Sequence, residues 1–396
     1  MSEGKAFLEK VHIKNYLSLR DVRMPLKHLT VLVGPNASGK SNVLSALNLL
    51  NAMTSAENPP PTKLIQDCLW AGEVNNITFE LQAKVESTVA AYKLELSDNS
   101  DNPFVAEELL LKGETNVQAI SIANGEGKVK DEDGLNKTNY KSNKLALKSA
   151  GDYGNKPITR SLTEFIKGWE FYNFDIGYIR GSLTESLHEK QEIREAAKLD
   201  SYGRNLGDVL WNWHKNSPES FEDINESLAS ITNLEIDQYL IDDQNQFCLL
   251  EGYKNPIPLR SASDGTLRLV AYNILLNEPE LPPLIAIEEP EQNLHPGALT
   301  HIANVLEQIA ERSQVIITTH SSQLLGAFNQ ESLGDSLGVL LLNNRRGFGT
   351  EVLDLEDYRG KKKAFDGWIA DFGIGSAVFD LGISSDEMED TAECQA

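Results

Sequence analysis

The residues that most constrain this 396-residue chain are Gly34-Pro35-Asn36-Ala37-Ser38-Gly39-Lys40-Ser41. They match the G-x-x-x-x-G-K-[ST] phosphate-binding loop at every fixed position. The run before them, Leu29-Thr30-Val31-Leu32-Val33, reads as a buried strand. In the run after them, Val43, Leu44, Leu47 and Leu50 fall on one helical stripe. Strand, glycine-bearing loop and helix start together make an anion site. Backbone N–H groups turn inward around phosphate oxygens, and the helix dipole adds positive potential. Lys40 is placed to reach the outer phosphates and the Ser41 hydroxyl to ligate Mg²⁺. The segment from Gly34 through Ser41 to Asn42 is therefore the candidate nucleotide-binding stretch.

Composition narrows the partners. With 40% hydrophobic and 24% charged residues, the chain reads as globular and long enough for a sizeable core. No apolar run approaches a membrane span, and Met1-Ser2-Glu3-Gly4-Lys5 is too polar for a signal peptide. Cys68, Cys248 and Cys394 lie singly, without metal or disulfide spacing, so a cytoplasmic setting is expected. The net charge of −23 opposes coating of the whole surface by DNA, which needs a basic face to neutralise phosphates. A local basic groove stays open, since a cleft carries its own field. Arg345-Arg346 and Lys361-Lys362-Lys363 are the candidates, with ordinary solvated surface as the plainer reading.

Along the chain, residues 7–13 alternate as a strand, and 15–20 either hold a nucleotide base or form a plain β-turn. Asn58-Pro59-Pro60-Pro61 ends the first helix. Residues 77–85 and 91–96 pair as antiparallel strands, with 104–111 following. From 113 to 157 the chain is rich in Gly, Asn, Lys, Asp and Ser, and a mobile loop is expected. Residues 158–255 read as a helical insertion. It has helices near 158–166, 183–199 and from 205, an amphipathic stretch over 221–231, and an aromatic strand at 169–174. No sustained heptad is present. Strand–helix alternation returns over 256–375, with strands at 284–287 and 315–319 and a helix over 297–312. An acidic, disordered tail is expected from 376 to 396. The expected domains are thus 1–157, 158–255, 256–375 and the tail.

A phosphate loop alone does not hydrolyse anything. The strand Leu284-Ile285-Ala286-Ile287 delivers Glu288 and Glu289 at its carboxyl end, where open α/β sheets bind ligands. One carboxylate can hold the Mg²⁺ shell while the other orients the attacking water. Ser263-Asp264-Gly265 precedes an apolar helix and makes a second small-residue anion site, although such a triplet is also a common turn. His320 ends the 315–319 strand. It would lie beside the phosphate loop if the two strands are neighbours.

Phosphate loop, small-residue signature, strand with Glu-Glu, then strand-end His resembles the order of ATP-binding-cassette (ABC) ATPases. The wording is similar to the RecF/SMC-like branch and its AAA_21 "predicted ATPase" group. It is carried by I-K-N-Y-L-S-L-R before the phosphate loop, by 169–180, by Y-G-R-N-L-G-D-V-L at 202–210 and by 259–320. Glu288-Glu289-Pro290-Glu291-Gln292-Asn293-Leu294-His295-Pro296 resembles the branch's E-E-P-E-x-x-L-H-P signature, and Trp368 to Gly375 reads similarly. The resemblance implies an α/β P-loop ATPase head with an antiparallel β subdomain and a helical insertion. It implies that Lys40 and Ser41 hold phosphates and Mg²⁺, Glu288 supports the Mg²⁺ site, Glu289 is the hydrolytic base and His320 senses the γ-phosphate. Ser263 and Gly265, flanking Asp264, would contact ATP bound by a second subunit, giving an ATP-sandwiched homodimer. Ala262-Ser263-Asp264-Gly265-Thr266 departs from the L-S-G-G-Q form, and Gln82 and Gln118 are both candidates for the glutamine-loop role.

Relatives of this kind are often one half of a two-gene DNA-repair or antiphage-defence system with a separate nuclease or toxin effector. No Cys–His cluster stands in this sequence, and 321–375 is too short for a TOPRIM nuclease. The alternative is an ATP-gated scaffold that binds a protein partner without touching DNA. A transporter ATPase and a small-molecule kinase fit the wording less well.

Overall fold

The computed structural model describes residues 6–70, 76–99, 102–113, 116–142, 144–150, 154–185, 198–232, 234–241, 244–250, 255–361 and 363–379. Among these, six strands form a sheet in the order Glu170–Tyr172, Leu284–Glu288, Gln314–Thr319, Leu29–Val33, Leu337–Arg345, Gly349–Asp354. The first five run parallel, and the sixth returns antiparallel as a hairpin. The central strands are continuous apolar runs because the sheet is covered on both faces. Their period-2 alternation sends Val31, Val33, Ile285, Ile287 and Ile317 into one core, and Leu32, Ala286, Ile316 and Leu340 into the other.

The first core packs under helices Asp264–Asn277, Leu299–Arg312, Leu206–Asn216 and Pro218–Thr232. The second holds helix Lys40–Ser55, with Val43, Leu47 and Leu50 buried, and helix Pro157–Lys167, with Leu162, Phe165 and Ile166 buried. Its far wall is a second, wholly antiparallel sheet. That sheet runs Leu19–Pro25, Phe7–Tyr16, Asn76–Val85, Thr88–Ser97, Phe104–Lys112, Asn116–Ala123, Glu126–Lys130, Lys137–Lys141.

The last three of those strands fall where the sequence suggested a loop. Residues 113–157 carry few apolar side chains, but the few are spaced for strands: Ala119, Ile120, Ile122 and Val129 are all buried. Asn124-Gly125, both at positive φ, makes the two-residue turn that hairpins favour. That dipeptide was the available signal.

The segment 158–255 also differs from a purely helical insertion. Glu170–Tyr172 is an edge strand of the parallel sheet, paired in register with Ile285–Ile287. Glu235–Ile241 and Gln244–Leu250 form a hairpin joined by Ile257–Pro258. A helix at Ile176–Glu185 precedes the expected 183–199 helix, and 186–197 lie outside the described residues. Ile179 and Leu183, four apart, supply its inward face. At the other end, the helical stretch Lys363–Phe379, broken by a kink at Gly373 (φ 85), runs past the expected start of the tail at 376. The acidic stretch 380–396, Cys394 included, lies outside the described residues.

Candidate nucleotide site

Strand Leu29–Val33 feeds directly into the glycine-bearing loop. Gly39 adopts φ 102, and a Cβ there would stand 2.2 Å from Thr350 Oγ1, so both its conformation and its crowding require glycine. The loop is braced from outside. Thr350 Oγ1 donates to the Ser38 carbonyl (3.1 Å) and pairs with Ser18 Oγ (2.7 Å). Asn42 Nδ2 donates to that same Ser18 hydroxyl (2.8 Å), and Asn344 Nδ2 donates to the Ala37 carbonyl (3.1 Å). Asn344 and Thr350 were missed at the sequence level, because they come from a hairpin 300 residues downstream in an otherwise ordinary pattern, whereas Ser18 lies in the 15–20 segment read as a base holder or a plain turn.

Lys40 is 5% exposed and its ammonium donates to the carbonyls of Gly34 (2.7 Å) and Pro35 (3.0 Å). Burial holds its pKa below the usual lysine value, while Glu289, Glu291 and Glu288 pull it back up. The Ser38 hydroxyl is buried with no hydrogen-bond partner among the described residues. An orphan donor in the throat of a phosphate loop calls for a ligand.

Parallel pairing brings the other groups to the same edge. Thr319 sits opposite Val33, and Thr318 sits opposite both Leu32 and Glu288. Ser41 Oγ donates directly to Glu288 Oε1. Glu289 takes a left-handed backbone conformation (φ 44), and its N–H is held by the Thr318 carbonyl and hydroxyl, each at 3.1 Å. A non-glycine residue there carries strain of about 1–2 kcal/mol. The turn aims Glu289 Oε1 at His320 Nδ1, 3.2 Å away. His320 and the phosphate loop thus end adjacent strands, the condition that the sequence had left open. Glu291 was not singled out, yet its Oε1 accepts from Thr319 Oγ1 (2.5 Å) and the His320 N–H (3.2 Å) while its Oε2 is buried with no partner among the described residues. The fourth letter of E-E-P-E was its signal.

A hydroxyl and a carboxylate that already touch are a donor set suited to Mg²⁺, which takes one or two protein oxygens and keeps its waters. Ser41 and Glu288 fit that ion.

The second anion site is built differently. Ser263 caps helix Asp264–Asn277, accepting from the Thr266 N–H at 3.1 Å. Beside it opens a groove of about 670 Å³ lined by Ser263, Asp264, Gly265, Thr266, Asn293 and His295 among others. No residue of 34–42 lines it. A Cβ on Gly265 would meet the Asn293 carbonyl at 3.0 Å, so the groove and the Glu-Glu turn share one wall. Arg180, from helix Ile176–Glu185, reaches the Arg260 carbonyl, the Ala262 carbonyl (2.9 Å) and Asp264 Oδ1 (2.7 Å).

Other candidates stand apart from this edge. Gln82 donates to Glu9 Oε2 and Gln118 to the Ile120 carbonyl, both on the antiparallel sheet. Residues 15–20 are a hairpin turn, with Tyr16 paired to Leu19 and Arg20 lying 5.2 Å over the Trp70 ring; of these, Ser18 does reach the phosphate loop, through Asn42 and Thr350. Arg345 pairs with Glu351 and lies over Phe348, whereas the side chains of 361–363 are outside the described residues. Cys68 and Cys248 are free and buried. Among the described residues no helix is long and apolar enough to cross a membrane.

Comparison with known proteins bears on the family and the fold. The family model AAA_21, described as "AAA domain, putative AbiEii toxin, Type IV TA system", matches residues 29–326. An OLD nuclease from Thermus scotoductus is 42% identical over 43 residues, a stretch that is 11% of this chain and 8% of that protein. The crystal structure of an Smc head bound to the C-winged helix domain of ScpA superposes with a TM-score of 0.51 at 13% identity, covering 89% of this chain and 99% of that one. At that identity the likeness is one of fold.

Proposed function

The chain belongs to the AAA_21 family, with an SMC-like ATPase head fold, and from that premise we propose that it binds ATP with Mg²⁺ and hydrolyses it. One observation carries the reading: Lys40, Ser41, Glu288, Glu289 and His320 meet at the ends of three adjacent parallel strands. Lys40 leaves its two loop carbonyls for the β- and γ-phosphates, and the orphan Ser38 hydroxyl gains an acceptor. Glu289 accepts the proton of the attacking water, and His320, 3.2 Å from that carboxylate, contacts the γ-phosphate it attacks. Mg²⁺, held by Ser41 and Glu288, would neutralise charge on the phosphates.

Ser263 and Gly265 then serve the nucleotide of a second copy, closing a dimer around two ATP molecules. Support comes from the groove beside them, open and free of the chain's own phosphate-loop residues. A separate nuclease or toxin would supply the output in DNA repair or antiphage defence, and DNA would enter through a local basic groove. A scaffold that meets only a protein partner is the second reading, favoured by the net charge of −23.

The test is the solution mass of the Glu289→Gln protein alone, with ATP–Mg²⁺, and with ATP–Mg²⁺ plus duplex DNA. An ATP-dependent dimer that carries DNA supports the first reading, and one that ignores DNA supports the scaffold. A protein that binds ATP yet stays monomeric sinks the sandwich, and one that is oligomeric with or without ATP is sorted by Ser263→Arg, which should break a sandwich and leave another assembly whole.

A further inference from the structure

The signature of this chain places a carboxylate where a γ-phosphate is to be received. A helix N-terminus offers an anion about +0.5 of a unit charge. Asp264, the first residue of helix Asp264–Asn277, brings a full negative charge to that end. Left alone, the site would be net negative and would repel a triphosphate. Arg180 reverses the sign. Its guanidinium sits 2.7 Å from Asp264 Oδ1 and is fixed there by the carbonyls of Arg260 and Ala262, which leave it little freedom to follow other carboxylates. Arg260 is in turn tied by Nη1 to Gln246 Oε1 (2.8 Å), so the turn before the signature is held from two sides.

We infer that Arg180 is a positioning residue that makes an aspartate-bearing signature able to receive the γ-phosphate of ATP held by a second copy of the chain. The inference rests on the reading that the signature meets a second copy's nucleotide. Arg180 acts through Asp264 by cancelling its charge, and the pair leaves the Ser263 hydroxyl and the helix dipole as the net attraction. The pair is partly open to solvent, with side chains 35% and 52% exposed, so its effect appears when a phosphate approaches rather than as fold stability.

The experiment compares Arg180→Ala, Arg180→Lys, Asp264→Gly and the Arg180→Ala/Asp264→Gly double variant. Each is built in the full chain for hydrolysis and in the Glu289→Gln background for ATP-driven mass. Arg180→Ala is expected to lower hydrolysis and dimerisation tenfold or more while each chain still binds ATP. Asp264→Gly added to it should restore both to within about threefold, a rescue that an unfolded protein cannot give. Arg180→Lys, which keeps the charge, should stay within the same range. A dimer that forms equally well in Arg180→Ala, a double variant no better than Arg180→Ala, or a lysine variant as poor as the alanine one overturns the inference while the sandwich stands. A Glu289→Gln protein that binds ATP yet stays monomeric overturns the sandwich and the inference with it.

Discussion

At the ends of strands Leu29–Val33, Leu284–Glu288 and Gln314–Thr319, backbone register places the functional groups; at the start of helix Asp264–Asn277, side chains do. On the strand edge, pairing of Thr318 with both Leu32 and Glu288 fixes where Ser41, Glu289 and His320 fall. The groups there already satisfy one another within a single chain. At the helix start, position depends on the Ser263 cap and on the Arg180 guanidinium, and the groove in front stays open. The difference separates two jobs. The edge gathers the groups that the proposed hydrolysis would use, and the helix start faces an open groove, as the proposed contact with a second copy requires.

The sharpest way to break that division is Glu289→Gln. It should leave ATP binding intact and cut kcat by about 10²–10⁴-fold, the range a positioned general base supplies. A variant that hydrolyses ATP at the parental rate would move the chemistry away from the strand edge. Lys40→Ala comes next. Each charge-assisted hydrogen bond from the ammonium contributes about 1.5–3 kcal/mol, so ATP affinity should fall about 10–100-fold by direct titration. Ser263→Arg probes the other region. Binding of ATP by each chain should hardly change, while ATP-dependent mass and hydrolysis both fall. Loss of the cap should cost only about 1 kcal/mol in a denaturant titration. Weaker ATP binding in that variant would merge the two regions into one site.

The strand edge was largely legible in the sequence, and for a physical reason. Its residues are local: Gly34 to Asn42 on one turn, Glu288 and Glu289 at the end of one apolar run, His320 at the end of another. Local patterns report themselves. Most of what braces the edge was not legible, because Asn344 and Thr350 meet the loop only after the chain has closed over more than 300 residues. Arg180 was hidden for the same reason, being tied to Asp264 across 84 positions. The antiparallel sheet was underread for a different one. Past residue 113 its strands bury only short or isolated apolar side chains, and the polar remainder masked the period.

The smallest expected effect tests how firmly the helix Asp264–Asn277 is seated at its far end. Glu278 follows that helix, fully buried, where the dipole is already negative. Its Oε1 accepts from the Leu199 N–H (2.7 Å) and its Oε2 has no partner among the described residues. Burial pushes its pKa up to about 7, against the pull of the Leu199 N–H, Lys198 and Arg312. A folded-state pKa raised from an ordinary carboxylate value means the stability contribution is complete below about pH 4.5 and fades as pH rises through 7. The loss by pH 8 is bounded at ~3 kcal/mol. Glu107 has the same sign, pushed up to about 7 by complete burial. It already receives the N–H groups of Ala146 and Leu147 and the Tyr92 hydroxyl, so an amide cannot replace it cleanly. Glu278→Gln, which keeps one acceptor for Leu199, should therefore gain on the parent in urea midpoint as pH goes from 5 to 8, with the Glu107 slope left in both. Parallel midpoints across that window would mean that Glu278 stays charged in the folded chain. The far end of the helix would then hold a buried charge with the Leu199 N–H as its one hydrogen-bond donor among the described residues, unlike the near end, where Arg180 pairs with Asp264.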